Sequence, residues 1–185
     1  GSTAVPVIIQ EALARRADEL RGVNIVSGFN ITKGPAPFCK PEYKDSFFVN
    51  SLFLCADQRQ YVAEGYGSLI PGFLGELPSL IRRHEIPIDV ACINCSFPDE
   101  NGYCSYNISA DLAQPAVEAA KIVIAQVNKS IPYLYGTAMI HESQITAAIE
   151  CDDPPVDMQF GPPTEIESAI GSYIAAEIAD GATLQ

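Results

Sequence analysis

Positive charge is scarce in this sequence. Its 185 residues hold 11 lysines and arginines against 23 aspartates and glutamates, a formal net charge of −12 at pH 7. The basic residues are scattered, which argues against a nucleic acid or an anionic membrane as partner. No apolar run approaches the length of a membrane span. Internal repeats and low-complexity tracts are also missing, so neither a solenoid nor a disordered array is expected. What remains is globular: 48% hydrophobic and 18% charged, enough at this length for one good core or slightly more.

A complete metal-ligand set is another thing the sequence lacks. The six cysteines are Cys39, Cys55, Cys92, Cys95, Cys104 and Cys151. Cys92-Ile-Asn-Cys95, followed by Cys104, invites a metal or redox reading. An odd spacing along an extended run puts Cys92 and Cys95 on opposite faces of the strand. A zinc pair needs both thiols on one side, and no fourth ligand is apparent. No metal is therefore expected, and the thiols read as buried structural groups. With no charged-then-apolar stretch at the head of these residues, the expected compartment is a reducing cytoplasm. His84 stands beside Arg82 and Arg83 on a polar helix end, and His141 has no ligand pattern near it; neither is assigned to catalysis.

The rest of the chain is organised around Ile88 to Asn128. Ile88–Cys95 is a nearly continuous apolar run, the pattern of a strand covered on both faces. Ser96–Tyr106 is rich in turn formers and reads as a loop. Ser109 and Asp111 are capping types, and Asp111–Ala120 suits a short helix with Pro115 in its early turns. Lys121–Val127 is a second buried strand. Strand, helix and strand make a right-handed parallel unit. In open parallel sheets the ligand lies beyond the carboxyl ends of the strands, which makes the Ser96–Asp99 loop the first candidate for a site.

In chain order, Thr3 is placed to cap a helix running to about Leu20, with Val5, Ile9, Ala12, Leu13 and Leu20 near one face and Gly22 as its stop. Val23–Ser27 is a short strand, followed by Gly28-Phe29-Asn30 and a proline-rich loop. Phe47–Leu54 reads as a strand, Asp57–Glu64 as a helix carrying Arg59, and Leu77–Arg83 as another helix. Leu69–Leu74 is apolar but broken by Pro71 and Gly72. The segment from Ile131 to Glu150 is weakly patterned. Cys151–Pro163 is a linker or surface loop. Thr164–Ala179 is the clearest helix, with a Thr164/Glu167 capping box, a stripe of Ile166, Ile170, Tyr173, Ile174 and Ile178, and Gly181 as its stop. Ala182–Gln185 looks like the start of a strand. This alternation predicts an α/β fold with a mainly parallel sheet flanked by helices. The loops after Val23–Ser27 and Ile88–Cys95 are then expected to lie side by side, with Asn30 and Asp99 in one cleft.

Several separated blocks carry a resemblance. Ser96-Phe97-Pro98-Asp99, Gly102-Tyr103-Cys104-Ser105, Ser109 with Asp111, Ala120 to Asn128, and the closing Asp180-Gly181-Ala182-Thr183-Leu184-Gln185 resemble the acetyl-CoA hydrolase/transferase family. Phe97 stands where the family pattern has a proline. The resemblance covers essentially the whole chain and implies a NagB/RpiA/CoA-transferase-like fold. Its implied chemistry moves CoA from an acyl-CoA to a short-chain carboxylate of the 4-hydroxybutyrate, butyrate or acetate type. A glutamate attacks the thioester, a glutamyl-CoA thioester forms, and the acceptor carboxylate completes the exchange.

In the family that glutamate follows the D-G-x-T-L-Q segment. No residue here matches it, and Glu100, Glu142 and Glu150 are not assigned to the role. Residues 1–185 are thus expected to be the N-terminal CoA-transferase domain, an interior piece truncated at both ends. No catalytic residue is placed in it. The expected substrate-binding residues are Gly28, Phe29 and Asn30, where the family places a backbone amide near the thioester oxygen, with Ser96, Pro98, Asp99, Gly102 and Arg59. Each has a structural alternative: a strand-ending turn, a self-satisfied loop, and a solvated arginine. Tyr103 and Tyr106 can line an acyl pocket or simply pack. CoA enters as substrate, with no cofactor. The C-terminal half of the same protein and further copies of it are the expected partners, with no nucleic acid and no membrane. The alternatives are an acyl-CoA hydrolase on the same fold and a non-catalytic binding or assembly domain.

Overall fold

The computed structural model describes residues 4–106, 110–157 and 161–184. The expected caps Thr3 and Ser109, and the closing Gln185, lie outside the described residues. The fold is α/β, with parallel sheets flanked by helices. One sheet joins β1 (Val23–Ser27), β2 (Phe47–Ser51) and β3 (Gly67–Leu69), all parallel and in that order. A second joins β4 (Val90–Cys95), β6 (Ile122–Asn128) and β8 (Ala147–Cys151), again parallel. A short antiparallel pair, β5 (Tyr103–Ser105) with β7 (Met139–His141), forms a ladder of its own beside the second sheet's core. The helices are α1 (Val7–Arg15), α2 (Ala56–Ala63), α3 (Leu77–Arg82), α4 (Ala110–Ala119) and α5 (Glu165–Ala176).

The expected parallel unit is present: β4 pairs with β6 from Val90↔Ile122 to Cys95↔Val127, and α4 makes the crossover. Pro115 falls past the first turn of α4 and is buried. The unit's core is Ala91, Ile93, Cys95, Val123, Ala125 and Val127, closed by Val117 of α4. The first sheet has its own core around Phe38, Phe47, Val49 and Tyr61. A third cluster, of Leu52, Leu77, Ile81 and Ile86 with Val26 and Leu112 packed on it, lies where α3 meets α4.

Several expectations need correction. One mainly parallel sheet was expected; among the described residues there are two parallel sheets, because β1 pairs with β2 and β4 with β6, and not with each other. The first helix does not reach Leu20. It ends at Arg15, and Ala17–Glu19 form a 3-10 turn. The Ala17 carbonyl accepts instead from Ser46 Oγ at 2.6 Å and Arg21 Nη1 at 3.0 Å, which fixes the sharper turn. Gly22 is therefore not a helix stop. Its left-handed φ of +62° turns the chain into β1, and its N–H donates to the Asp45 carbonyl. Ala12 faces solvent, while Ala14 and Ala17 are buried. β2 stops at Ser51, and the Leu69–Leu74 run holds only the end of β3. Tyr103–Ser105 is strand rather than loop, and the weak segment before Glu150 contains β7 and part of β8. Val90 and Cys92 are exposed, so β4 is covered on both faces only towards its carboxyl end. Residues 182–184 form no strand.

Candidate functional site

The loop after β4 is built by its own polar groups. Ser96 Oγ accepts from the Ser105 amide at 2.9 Å and donates to the Phe97 carbonyl at 2.9 Å. Asp99 Oδ1 accepts from the amides of Asn101 and Tyr103, each at 2.9 Å, and Oδ2 accepts from the Tyr133 hydroxyl at 2.9 Å. The Tyr103 amide is the largest influence holding the Asp99 carboxyl below its usual range; Tyr133, the Asn101 amide and nearby His141 act in the same sense, against partial burial. Tyr133 is pushed up to about 12 by burial and by the Asp99 carboxylate it bonds. Gly102 closes the turn at φ +80°, and a Cβ there would stand 2.8 Å from His141 Nε2. Ser96, Asp99 and Gly102 therefore shape the loop, while Phe97 and Pro98 face outward.

Beyond the carboxyl ends of β4, β6 and β8 lies an open cleft of about 690 Å³, lined by Ser96, Phe97, Lys129, Tyr133, Glu150 and Asp152 among others. Parallel strands end at one level, so the residues that follow each strand converge there. Asn128, fully buried at the end of β6, ties the edges together. Its Nδ2 donates to the Asp153 carbonyl at 2.7 Å, and its Oδ1 accepts from the amides of Ser130 and Asp153 at 3.1 Å. Ser130 Oγ donates to Asp152 at 2.6 Å. Lys129 is the cleft's cationic lining residue. Sequence reasoning missed Lys129 and Tyr133, and it had no ground to place Glu150 or Asp152, since β8 gives no clear pattern. The position of Lys129 just past a readable strand was the available signal. A smaller hollow of about 440 Å³ lies against Asp99, Glu100, Asn101, Tyr133 and Tyr135.

The other predicted residues lie at the first sheet. Gly28 follows β1 and packs so closely on Leu112 of α4 that any Cβ would meet that side chain. Phe29 is part-exposed and stacks edge-to-face on Phe53, with ring centroids 5.1 Å apart. Asn30 is buried and turned inward, donating to Ser27 Oγ at 2.7 Å and Asp57 Oδ2 at 3.3 Å. Arg59 is exposed on α2. Neither hollow is lined by Gly28, Phe29, Asn30 or Arg59. The expectation that the two loops follow strands of one parallel sheet is corrected: β1 and β4 belong to different sheets, and the Asn30 and Asp99 side chains bond different partners.

The sequence profile of the acetyl-CoA hydrolase/transferase N-terminal domain matches residues 1–158. The chain belongs to this family. It is 38% identical over 180 residues to the 4-hydroxybutyrate coenzyme A transferase of Clostridium kluyveri, covering 97% of this chain and 42% of that protein. It is 34% identical over 189 residues to the succinyl-CoA:cyclohexane-1-carboxylate CoA transferase of Geobacter metallireducens, covering 100% of this chain and 41% of that one. The crystal structure of a 4-hydroxybutyrate CoA-transferase from Porphyromonas gingivalis superimposes with a TM-score of 0.74 at 29% identity, over 100% of this chain and 42% of that one. The chain thus spans about two fifths of the length of the curated relatives it matches.

In this acetyl-CoA hydrolase/transferase chain all six cysteines are free. Cys92 is exposed and Cys95 buried, on opposite faces of β4 as the odd spacing requires. The neighbouring Cys104 thiol, and then burial, push the Cys95 thiol up, while the same neighbour holds Cys104 down. Among the described residues, no group of three or more His, Cys, Asp and Glu is arranged to hold a metal ion. No helix among them is long and apolar enough to cross a membrane.

Proposed function

We propose that the protein carrying this chain is a CoA-transferase, moving CoA from an acyl-CoA to a short-chain carboxylate through a glutamyl-CoA thioester. The observation behind this reading is the family match over residues 1–158, together with CoA-transferase relatives aligned along nearly the whole chain. Residues 1–185 act as the N-terminal domain, and the nucleophilic glutamate belongs to the remainder. Acyl transfer through an attacking carboxylate splits one hard displacement into easier ones, and each needs donors aimed at the developing oxyanion. In this reading the Gly28–Asn30 backbone supplies such a donor. Ser96, Pro98, Asp99 and Gly102 form a second wall, whose outward face is Phe97 and Pro98. A net charge of −12 disfavours polyanionic CoA, so its phosphates need local cations; Arg59 and Lys129 are candidates at the two sheets. CoA is a substrate, and no cofactor is needed. The acceptor is a short carboxylate of the kind named for the relatives. The six free thiols suit a reducing cytoplasm, and a homo-oligomer is the expected assembly.

The test is CoA exchange by the natural full-length protein between acetyl-CoA and a panel of short carboxylates, with mass spectrometry for a glutamyl-CoA adduct. Exchange with the adduct supports the reading. Thioester hydrolysis without exchange would reassign the protein as an acyl-CoA hydrolase, and neither activity would leave a binding or assembly role. Residues 1–185 alone are expected to give no turnover. Turnover by them at the full-length rate would place the nucleophile among the carboxylates passed over here.

A further inference from the structure

A carboxylate is buried beneath the loop after β1. Asp57, at the start of α2, is 5% exposed and forms no ion pair with any described residue. Around it are Asn30, Gln58 and Ser27. Asn30 Nδ2 donates to Asp57 Oδ2 at 3.3 Å and to Ser27 Oγ at 2.7 Å. Gln58 Nε2 donates to the same two acceptors, at 3.2 Å and 2.8 Å. Ser27 is the last residue of β1, and its carbonyl accepts from the Leu52 amide at 2.7 Å. The Asp57 carbonyl accepts from the Ala36 amide at 3.0 Å, so the proline-rich loop hangs from the same residue. Gly28 and Phe29 lie between Ser27 and Asn30, and both flanks of that two-residue bridge are gripped by this cluster.

Burying a carboxylate without a cation costs stability, and an apolar cluster of the same volume would serve the fold at least as well. What the polar cluster adds is direction. It fixes the Asn30 side chain inward, and with it the path of the backbone through Gly28 and Phe29. On the other side Gly28 lies against Leu112, and a Cβ there would displace the end of that side chain. The bridge is thus held from below by hydrogen bonds and from the side by packing.

We propose that Asp57 and Gln58 are positioning residues that hold the Gly28–Asn30 backbone in the shape in which it faces the acyl group. This rests on the CoA-transferase reading for its consequence, but the holding of the loop stands on the hydrogen bonds alone. Neither side chain touches substrate in this scheme. Both act through Asn30 and Ser27. A donor that acts only on the developing oxyanion contributes to the transition state and not to ground-state binding. Loosening it lowers kcat and leaves KM nearly unchanged.

The experiment uses the natural full-length protein as wild type, Asp57→Ala, Asp57→Asn and Asn30→Ala, with two readouts. In hydrogen exchange, Asp57→Ala and Asn30→Ala should speed exchange in residues 28–36 and leave β4 and β6 as protected as before, while Asp57→Asn, which keeps an acceptor oxygen, should stay near wild type. In CoA exchange, Asp57→Ala should lose on the order of 10- to 100-fold in kcat with little change in KM, and Asp57→Asn should recover most of it. Asn30→Ala should cost a similar factor, and the double variant no more than either single one. If wild-type protein shows no CoA exchange, the functional reading fails while hydrogen exchange still decides the loop. Unchanged exchange at 28–36 in a folded Asp57→Ala protein overturns the proposal. So does full kcat in that variant when the wild type is active. If Asp57→Ala does not fold, Asn30→Ala breaks the same bond from the loop side of the cluster, and unchanged loop exchange there overturns it equally.

Discussion

Gly102 is the residue whose replacement has the plainest consequence. Its φ of +80° is costly for any residue with a Cβ, and that atom would press on His141 Nε2. His141 is not free to turn away without loss, since its Nδ1 shares a 2.8 Å hydrogen bond with Ser143 Oγ. Gly102→Ala should therefore destabilise the protein by about 1–3 kcal/mol, read as a lower urea midpoint at unchanged slope. Asp99 acts in the same turn through its charge. Its folded pKa is depressed, first by the Tyr103 amide. A depressed carboxylate contributes stability above its unfolded pKa of about 3.9, and that contribution is lost as pH falls through the folded value. Asp99→Ala should accordingly be less stable than wild type at neutral pH, and the gap should close in acid. A gap that persists in acid would mean that packing, not ionisation, is what Asp99 supplies.

At the scale of elements, α5 behaves unlike the rest. Its capping box is complete: Thr164 Oγ1 accepts from the Glu167 amide and the Glu167 carboxylate accepts from the Thr164 amide at 2.7 Å. Yet none of its residues is buried. A 12-residue helix without packing is marginal in water. Thr164→Ala, a change of about 1 kcal/mol at a cap, should raise hydrogen exchange across 165–176 and leave the global unfolding midpoint of this chain where it was. A shifted midpoint would show that α5 is part of the cooperative unit. The contrast with β5 and β7 is instructive. α5 could be read from the sequence because its cap and stripe are local, although it ends at Ala176, short of the expected Ala179 and of Gly181 as its stop. β5 and β7 are three residues each, too short to show an alternation, and they exist because Cys104 and Ile140 bury their side chains in the second core.

For the molecule as a whole, the same helix carries an exposed apolar stripe. Ile166, Ile170, Tyr173 and Ile174 are each more than half exposed. Apolar surface of this kind drives association. The 185-residue chain should self-associate with rising concentration, and Ile170→Glu with Ile174→Glu should reduce this in light scattering without lowering the unfolding midpoint. Equal association by the charged variant would move the sticky surface elsewhere, to Phe73 and Leu74, for example, which are also exposed.

The amino-acid pattern alone determined the α/β class, the β4–α4–β6 unit and the capped helix at 165–176. Each is announced by a run, a period or a cap within about a dozen residues, and the separated motifs carried the family resemblance. Tertiary structure decided which strands pair, and so that the described residues form two parallel sheets rather than one. That choice depends on contacts between residues far apart in sequence, which no local period records. It also decided what the site residues do. Ser96 and Asp99 were legible as a loop motif, but only the folded chain brings the Ser105 amide to Ser96 and the Tyr133 hydroxyl to Asp99, making them the loop's framework. Asn30 was legible as a residue after a strand, and its inward turn onto Asp57 appears only once α2 is packed beneath it. Lys129 lines the cleft because β4, β6 and β8 end level with one another, and β8 owes its place to pairing with β6 rather than to any pattern of its own.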